Sequence, residues 1–215
     1  MFANRTEAGR KLAAALSAYK DKRVVVLALP RGGVPVAREV AVALHASLDL
    51  IIVRKIGVPF EPELAMGAVV DGANPLTVRN EDVIQLSDVS EAAFDAVRDR
   101  ELAEIRRRRT EYIGKRPHPD LAGHVVIVID DGIATGATMR AALQAARKQQ
   151  PAKLVLAVPV APTSTLAELR READEIVCLE DRENFGAIGF FYADFAQVSD
   201  QEVKDILAAL PATAN

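Results

Sequence analysis

Two adjacent carboxylates, Asp130 and Asp131, close an unbroken apolar run, Val125 to Ile129, and a loop of small residues follows: Gly132, Ile133, Ala134, Thr135, Gly136, Ala137, Thr138. A helix-like segment, Met139 to Gln149, comes next. The apolar run reads as a buried strand, so the carboxylates stand at a strand end and the loop leads into a helix N-terminus. Short side chains let backbone N–H groups approach anionic oxygens closely. The helix N-terminus adds further N–H groups and a partial positive charge. Thr135 and Thr138 contribute hydroxyl donors, and Asp130 and Asp131 can accept hydrogen bonds from vicinal hydroxyls. Together these features describe a cradle for a sugar phosphate.

A second strand–loop–helix junction lies upstream. The apolar run Val24 to Leu29 is followed by Pro30, Arg31, Gly32 and Gly33, and Val34 opens a helical pattern. A guanidinium grips phosphate with two parallel N–H groups, and two glycines let the backbone reach an anion. A basic pair, Arg54 and Lys55, stands near the end of a further apolar run in Ile52-Val53-Arg54-Lys55-Ile56-Gly57. The residues after it, Val58-Pro59-Phe60-Glu61-Pro62-Glu63, read as a loop.

The segment 125–138 resembles the 5-phosphoribosyl-1-pyrophosphate (PRPP) signature of type I phosphoribosyltransferases. That pattern has four or five apolar residues, two acids, an apolar residue or Gly, then a short Thr-Gly loop closed by Thr or Ser. Every position is matched here. Pro30 to Gly33 is similar to the pyrophosphate loop of purine-type members, and Arg54-Lys55 to a basic run of adenine-type members. The chain looks closest to family members whose acceptor is unassigned. The resemblance implies a doubly wound, mainly parallel α/β sheet with helices on both faces and a small hood. It implies displacement of pyrophosphate from carbon 1 of PRPP by a nitrogen acceptor. Residues 133–138 would hold the 5-phosphate, and Asp130 and Asp131 the ribose. Pro30, Arg31, Gly32, Gly33 and Lys55 would hold pyrophosphate, with Arg31 and Lys55 stabilising the leaving group. The implied cofactor is Mg²⁺, reached by Asp130 and Asp131 indirectly through ribose or water. The family also implies a non-proline cis peptide near Pro30 to Gly32 and a loop after Lys55 that closes over substrate. The runner-up is a PRPP- or nucleotide-binding regulator with little transferase activity.

The aromatic residues gather late, in the run from Phe185 to Phe195. Hypoxanthine-type members build a hood over the base from a comparable segment, which offers Phe185, Phe190, Phe191 and Tyr192 as stacking partners for a planar acceptor, a purine first. The alternative is an apolar cluster anchoring the C-terminal helix. These two readings stand side by side.

Other elements follow from periodicity. Helices are expected over Thr6–Tyr19, Val34–Leu44 and Ser90–Ile113. Strands are expected over 24–29, 48–53, 66–70, 76–78, 125–129, 154–160 and 175–179, with a turn across 71–75. Thr165 with Glu168, and Ser199 with Glu202, read as capping boxes, the second opening a helix through Leu210. Strands alternating with helices argue for a parallel sheet, whose ligands bind at strand carboxyl ends. One domain over residues 1–215 is expected, with hood elements near the N-terminus and at 182–215.

Composition narrows the function further. Twenty-seven Lys and Arg against 30 Asp and Glu leave a net charge of −3, which gives nucleic acid or an anionic membrane no general attraction. The basic run Arg106 to Arg109 reads as a solvated helix face, with a subunit contact or a second anion site as the minority reading. A single cysteine, Cys178, excludes an intramolecular disulfide, suits a cytoplasmic location and is expected in the core. His45, His118 and His124 lack metal-ligand spacing, and no nucleophile elbow or P-loop is present. The expected partners are PRPP and a small nitrogen acceptor, with no nucleic acid, no membrane and a homo-oligomer left open.

Overall fold

A computed structural model describes residues 1–72 and 74–210. Ala73 of the expected 71–75 turn, and residues 211–215 of the expected hood, lie outside the described residues. Five parallel strands, in the order β2-β1-β6-β7-β8, form the central sheet: β1 is Val24–Ala28, β2 Ser47–Leu50, β6 Val125–Ile129, β7 Lys153–Pro162 and β8 Glu175–Arg182. The interior strands are apolar because both faces are covered. Successive side chains of a strand point to opposite faces, and the core divides accordingly. Val24, Val26, Ala28, Ile127 and Ile129 face α1 (Arg5–Ala15), α2 (Gly33–Leu44), α4 (Glu91–Ile113) and α7 (Asp200–Ala209). Val25, Leu27, Val126 and Val128 face α5 (Ala137–Lys148) and α6 (Thr163–Leu169). This is the doubly wound architecture that the alternating pattern predicts. Among the described residues, no helix is long and apolar enough to cross a membrane.

The second expected strand departs from this plan. The parallel strand β2 ends at Leu50, and the chain turns into a separate antiparallel sheet of β3 (Val53–Val58), β4 (Glu61–Val70) and β5 (Leu76–Arg79). Arg54 and Lys55 therefore lie on β3 and not at the end of a core strand. The segment read as a loop, Val58 to Glu63, is the tip of the β3–β4 hairpin, turning at Pro59 and Phe60. Gly57 permits it: a Cβ there would lie 2.4 Å from the Pro62 carbonyl oxygen. A short helix, α3 (Glu81–Leu86), is capped by the Asn80 side chain, which accepts from Val83 N–H.

Ser199 caps α7 as expected, its hydroxyl oxygen accepting from Glu202 N–H at 3.1 Å. Thr165 is not a cap. The helix α6 starts two residues earlier, after Pro162, because proline suits a helix entry. Cys178 is half-buried rather than in the core, since β8 is an edge strand with one neighbour.

The 23-residue α4 buries Phe94, Val97, Glu101, Ile105, Arg109 and Tyr112, one stripe at helical spacing that includes two charges. Glu101 takes Arg54 at 2.8 Å. Arg109 donates to Asp49 at 2.9 Å and Asp71 at 3.0 Å, all three side chains buried. The basic run is thus not a uniformly solvated face. At Arg109, two carboxylates from β2 and the end of β4 compensate burial of the guanidinium.

Candidate functional site

Neighbouring parallel strands β1 and β6 bring the two glycine loops together at the carboxyl edge of the sheet. The approach is close. A Cβ on Gly32 would lie 2.1 Å from Asp131 Oδ2, and one on Gly33 would lie 2.9 Å from Asp130 Cα. Any larger side chain at either position would occupy the space of the acid pair. The peptide bond between Pro30 and Arg31 is cis.

The loop after Asp131 holds a ring of free donors. The backbone N–H groups of Ala134, Thr135, Gly136, Ala137 and Thr138 donate to no protein group among the described residues. Ala134, Thr135, Ala137 and Thr138 are exposed residues, and Gly136 between them is buried. Gly136 takes φ = 77°, a left-handed conformation that glycine adopts without strain, and it caps α5. The loop is braced from behind. Ile133 N–H donates to Val160 O at 3.0 Å, and the Thr165 hydroxyl donates to Ala134 O at 2.9 Å. Orphan N–H groups at a helix start, fixed by a rigid scaffold, make an anion site.

The two acids differ in surroundings. Asp131 is buried, and its carboxylate accepts from Arg5 Nε at 2.7 Å. Asp130 keeps part of its surface open, yet enough protein surrounds its carboxyl that burial holds it well above the ordinary carboxylate range. The neighbouring charge of Asp131 adds to that rise. Asp130 also accepts the Asp131 N–H at 2.8 Å. The pair thus stands at the strand end with two carboxyl groups in unequal surroundings, Asp130 the harder of the two to ionise.

Arg31 reaches Asp200, at the start of α7, at 3.4 Å, and Asp200 also accepts from the Tyr112 hydroxyl. Lys55 does not turn toward either loop. Its ammonium donates to Glu63 across the hairpin, to O at 3.1 Å and to Oε2 at 3.0 Å. The aromatic segment packs against the N-terminus. Phe2, Phe185 and Tyr192 are buried with Ala8 and Val160, and Phe185 stacks on Phe191 at 4.9 Å. The Tyr192 hydroxyl donates to Asp131 O at 2.6 Å, which brings its ring beside the acid pair. Phe190 is 74% exposed. The apolar-cluster reading describes Phe185, Phe191 and Tyr192, while Phe190 is left open to solvent.

Three features escaped sequence reasoning. Arg5 at the second acid and Asp200 at Arg31 have no local signature, since their partners lie 126 and 169 residues away. The third is a cleft of about 560 Å³ lined by Thr135 and Ala137 of the loop after Asp131 together with Asn80, Arg140 and Gln144.

A family model described as a phosphoribosyl transferase domain matches residues 3–195. Two curated proteins of Mycobacterium tuberculosis, from strains CDC 1551 and H37Rv, are provisionally named phosphoribosyl transferases. Each is 48% identical over 207 residues, which is 96% of this chain. The match takes in 46% of each, so the chain spans about half the length of the curated relatives it matches. The crystal structure of TT1426 from Thermus thermophilus superposes with a TM-score of 0.83. It is 38% identical, with 98% of this chain and 99% of that one covered.

Proposed function

The chain belongs to the phosphoribosyl transferase domain family, and from that premise we propose that it transfers the phosphoribosyl group of PRPP to a nitrogen acceptor, releasing pyrophosphate. The observation that carries this reading is the row of undonated N–H groups from Ala134 to Thr138, ending in the N-terminus of α5 beside two carboxylates. The row suits a phosphate dianion, and Asp130 and Asp131 suit the ribose hydroxyls next to it. Arg31, Gly32 and Gly33 face the same edge and suit pyrophosphate. Arg31 holds its present partner at 3.4 Å with a third of its side chain exposed, so it is free to turn inward. Lys55 joins the pyrophosphate only if the β3–β4 hairpin folds over the site and Glu63 releases it.

Asp130 and Asp131 also suit Mg²⁺ held at one remove, through ribose oxygens or water, since Arg5 already takes Asp131 Oδ2. This ion keeps much of its shell as substrate oxygens and water. When bound, it would neutralise charge growing on the leaving pyrophosphate. The protein's own part is electrostatic. Asp131 opposes positive charge developing on the ribose ring, and Arg31 opposes negative charge on the leaving group. No side chain need form a bond to the sugar. The acceptor we propose is a planar nitrogen heterocycle, a purine first, resting against the hood, where Phe190 is exposed and Tyr192 abuts Asp131.

The test is pyrophosphate release from PRPP and Mg²⁺ with a panel of nucleobases, alongside PRPP binding by calorimetry. Release with one base supports the transferase. Binding without release across the panel points to a regulator instead. Absence of PRPP binding overturns both.

A further inference from the structure

Arg5 stands outside the 125–138 pattern, yet it is tied directly to the acid pair. Its Nε donates to Asp131 Oδ2 at 2.7 Å. Its NH1 group donates to Ala196 O, also at 2.7 Å. Its guanidinium lies 3.9 Å above the Phe195 ring. That ring stacks on Tyr192 at 5.0 Å, and the Tyr192 hydroxyl donates to Asp131 O. The contacts form a closed circuit: Asp131 carboxylate, Arg5, Phe195, Tyr192, Asp131 carbonyl. Both ends of one residue are held, the side chain by the N-terminal helix and the backbone by the C-terminal aromatic segment.

Three alternative roles for Arg5 are weaker. A free arginine waiting for pyrophosphate would be more open and singly held, as half-buried Arg31 is with its one contact at 3.4 Å. Arg5 is 11% exposed in its side chain and held at three points. A purely structural ion pair, such as Arg109 makes with Asp49 and Asp71, engages carboxylates alone, whereas Arg5 also ties in the aromatic segment through the Phe195 ring and Ala196 O. A surface ion pair is worth little, but this one is largely removed from water and charge-assisted.

We propose that Arg5 is a positioning residue for phosphoribosyl transfer: it fixes the Asp131 carboxylate toward the ribose and locks the aromatic hood to the acid pair. The inference rests on the PRPP reading of the site. Arg5 touches neither sugar nor pyrophosphate in this role. It acts by restricting Asp131 to one orientation, so that no reorganisation is needed when PRPP arrives. The geometry also explains why Phe195, the last residue of the aromatic run, lies under a cation and not in the apolar cluster's interior.

The experiment is a double-mutant cycle on PRPP–Mg²⁺ binding, measured by calorimetry on the wild type, Arg5→Ala, Asp131→Asn and the combination. Arg5→Lys and Phe195→Leu are added in case Arg5→Ala folds poorly, with a circular-dichroism melt on each. The expected result is a weakening of about tenfold to a hundredfold for Arg5→Ala, the range for a lost hydrogen bond to a charged group. In an Asp131→Asn background, removing Arg5 adds little, because its partner is already disabled. Arg5→Lys recovers part of the loss, since it restores charge without the fork. An independent structural effect would instead add in full to that of Asp131→Asn. If Arg5→Ala and Arg5→Lys fold and bind PRPP as the wild type does, while Asp131→Asn does not, Arg5 has no positioning role. If the wild type itself fails to bind PRPP, the transferase reading falls first, and the two failures are distinguishable.

Discussion

Replacing Gly32 by alanine tests whether the two glycine loops meet at the acid pair. Gly32 has φ = −60° and ψ = −35°, which alanine adopts without strain, so the effect comes from contact alone. The new methyl carbon would lie 2.1 Å from Asp131 Oδ2, 2.6 Å from Cγ and 3.0 Å from Oδ1. Restoring an ordinary contact of about 3.4 Å demands that carboxylate and loop separate by about 1.3 Å. Asp131 cannot give way without stretching its 2.7 Å bond to Arg5. Misplacing a binding group by ~1 Å costs up to about a hundredfold in an aligned site. The expected result is thus a PRPP affinity lower by roughly 10²-fold in Gly32→Ala. Overpacking costs ~1–3 kcal/mol, and a less flexible unfolded chain offsets ~0.4–1 of it. The melting temperature should then fall by no more than about 10 °C for a chain of this size. Calorimetry with PRPP and Mg²⁺, paired with a circular-dichroism melt, reads both. Gly72→Ala is the control, because its methyl would meet nothing closer than 3.6 Å. A Gly32→Ala protein that is folded and binds PRPP within about threefold of the wild type would refute the reasoning, since the acid pair would then have room that the structure denies it.

Three further outcomes follow from particular contacts. Arg109→Met leaves Asp49 and Asp71 buried without their shared counter-charge and should cost about 3–5 kcal/mol in urea unfolding; a loss below 1 kcal/mol would mean that the cluster is not closed to water. Tyr192→Phe deprives the Asp131 carbonyl of its donor, so a loss of ~1–3 kcal/mol is expected together with weaker PRPP binding, and an unchanged melt would count against the contact. The Cys178 thiol is pushed up to about 11, mainly by burial, so alkylation by iodoacetamide at pH 8 should run about a hundredfold slower than for a free thiol and accelerate on unfolding; a rate near that of a free thiol would show an open β8 edge.

What the sequence disclosed, and what it hid, divides along a physical line. The strand–acid–loop–helix order at 125–148 is legible because each part announces itself within a few residues: apolar run, charge, glycine, helix period. The parallel sheet follows from the same kind of signal repeated. The change of sheet after Leu50 did not announce itself. Ile51, Ile52 and Val53 continue the apolar run, and only pairing with β4, set by a hairpin ten residues on, ends the core strand. Local pattern carries no record of which partner a strand selects. The reading of Thr165 as a cap failed similarly: a capping pattern was present, but the helix already starts after Pro162, and the hydroxyl donates to Ala134 O in the loop after Asp131 instead.

Charge is where the limit is sharpest, and α4 shows that it is not absolute. Arg106, Arg107, Arg108 and Arg109 are one composition, yet only Arg109 falls on the stripe with Phe94, Val97, Ile105 and Tyr112. Helical phase alone would have assigned it inward, and a buried guanidinium requires carboxylates to meet it. What phase cannot supply is their identity, because Asp49 and Asp71 lie 60 and 38 residues away. The same reasoning governs the site. Two adjacent acids at a strand end, one of them buried, call for a counter-charge, and the sequence offers 27 candidates. Arg5 is selected by topology: α1 lies on the sheet face nearest β7 and β8, where the aromatic segment returns to pair Phe2 with Tyr192. The counter-charge of Asp131 is therefore a consequence of how the chain ends are brought together. It follows that a relative keeping the 125–138 pattern but lacking an arginine on α1 would hold its second acid differently, and should differ in PRPP affinity before it differs in fold.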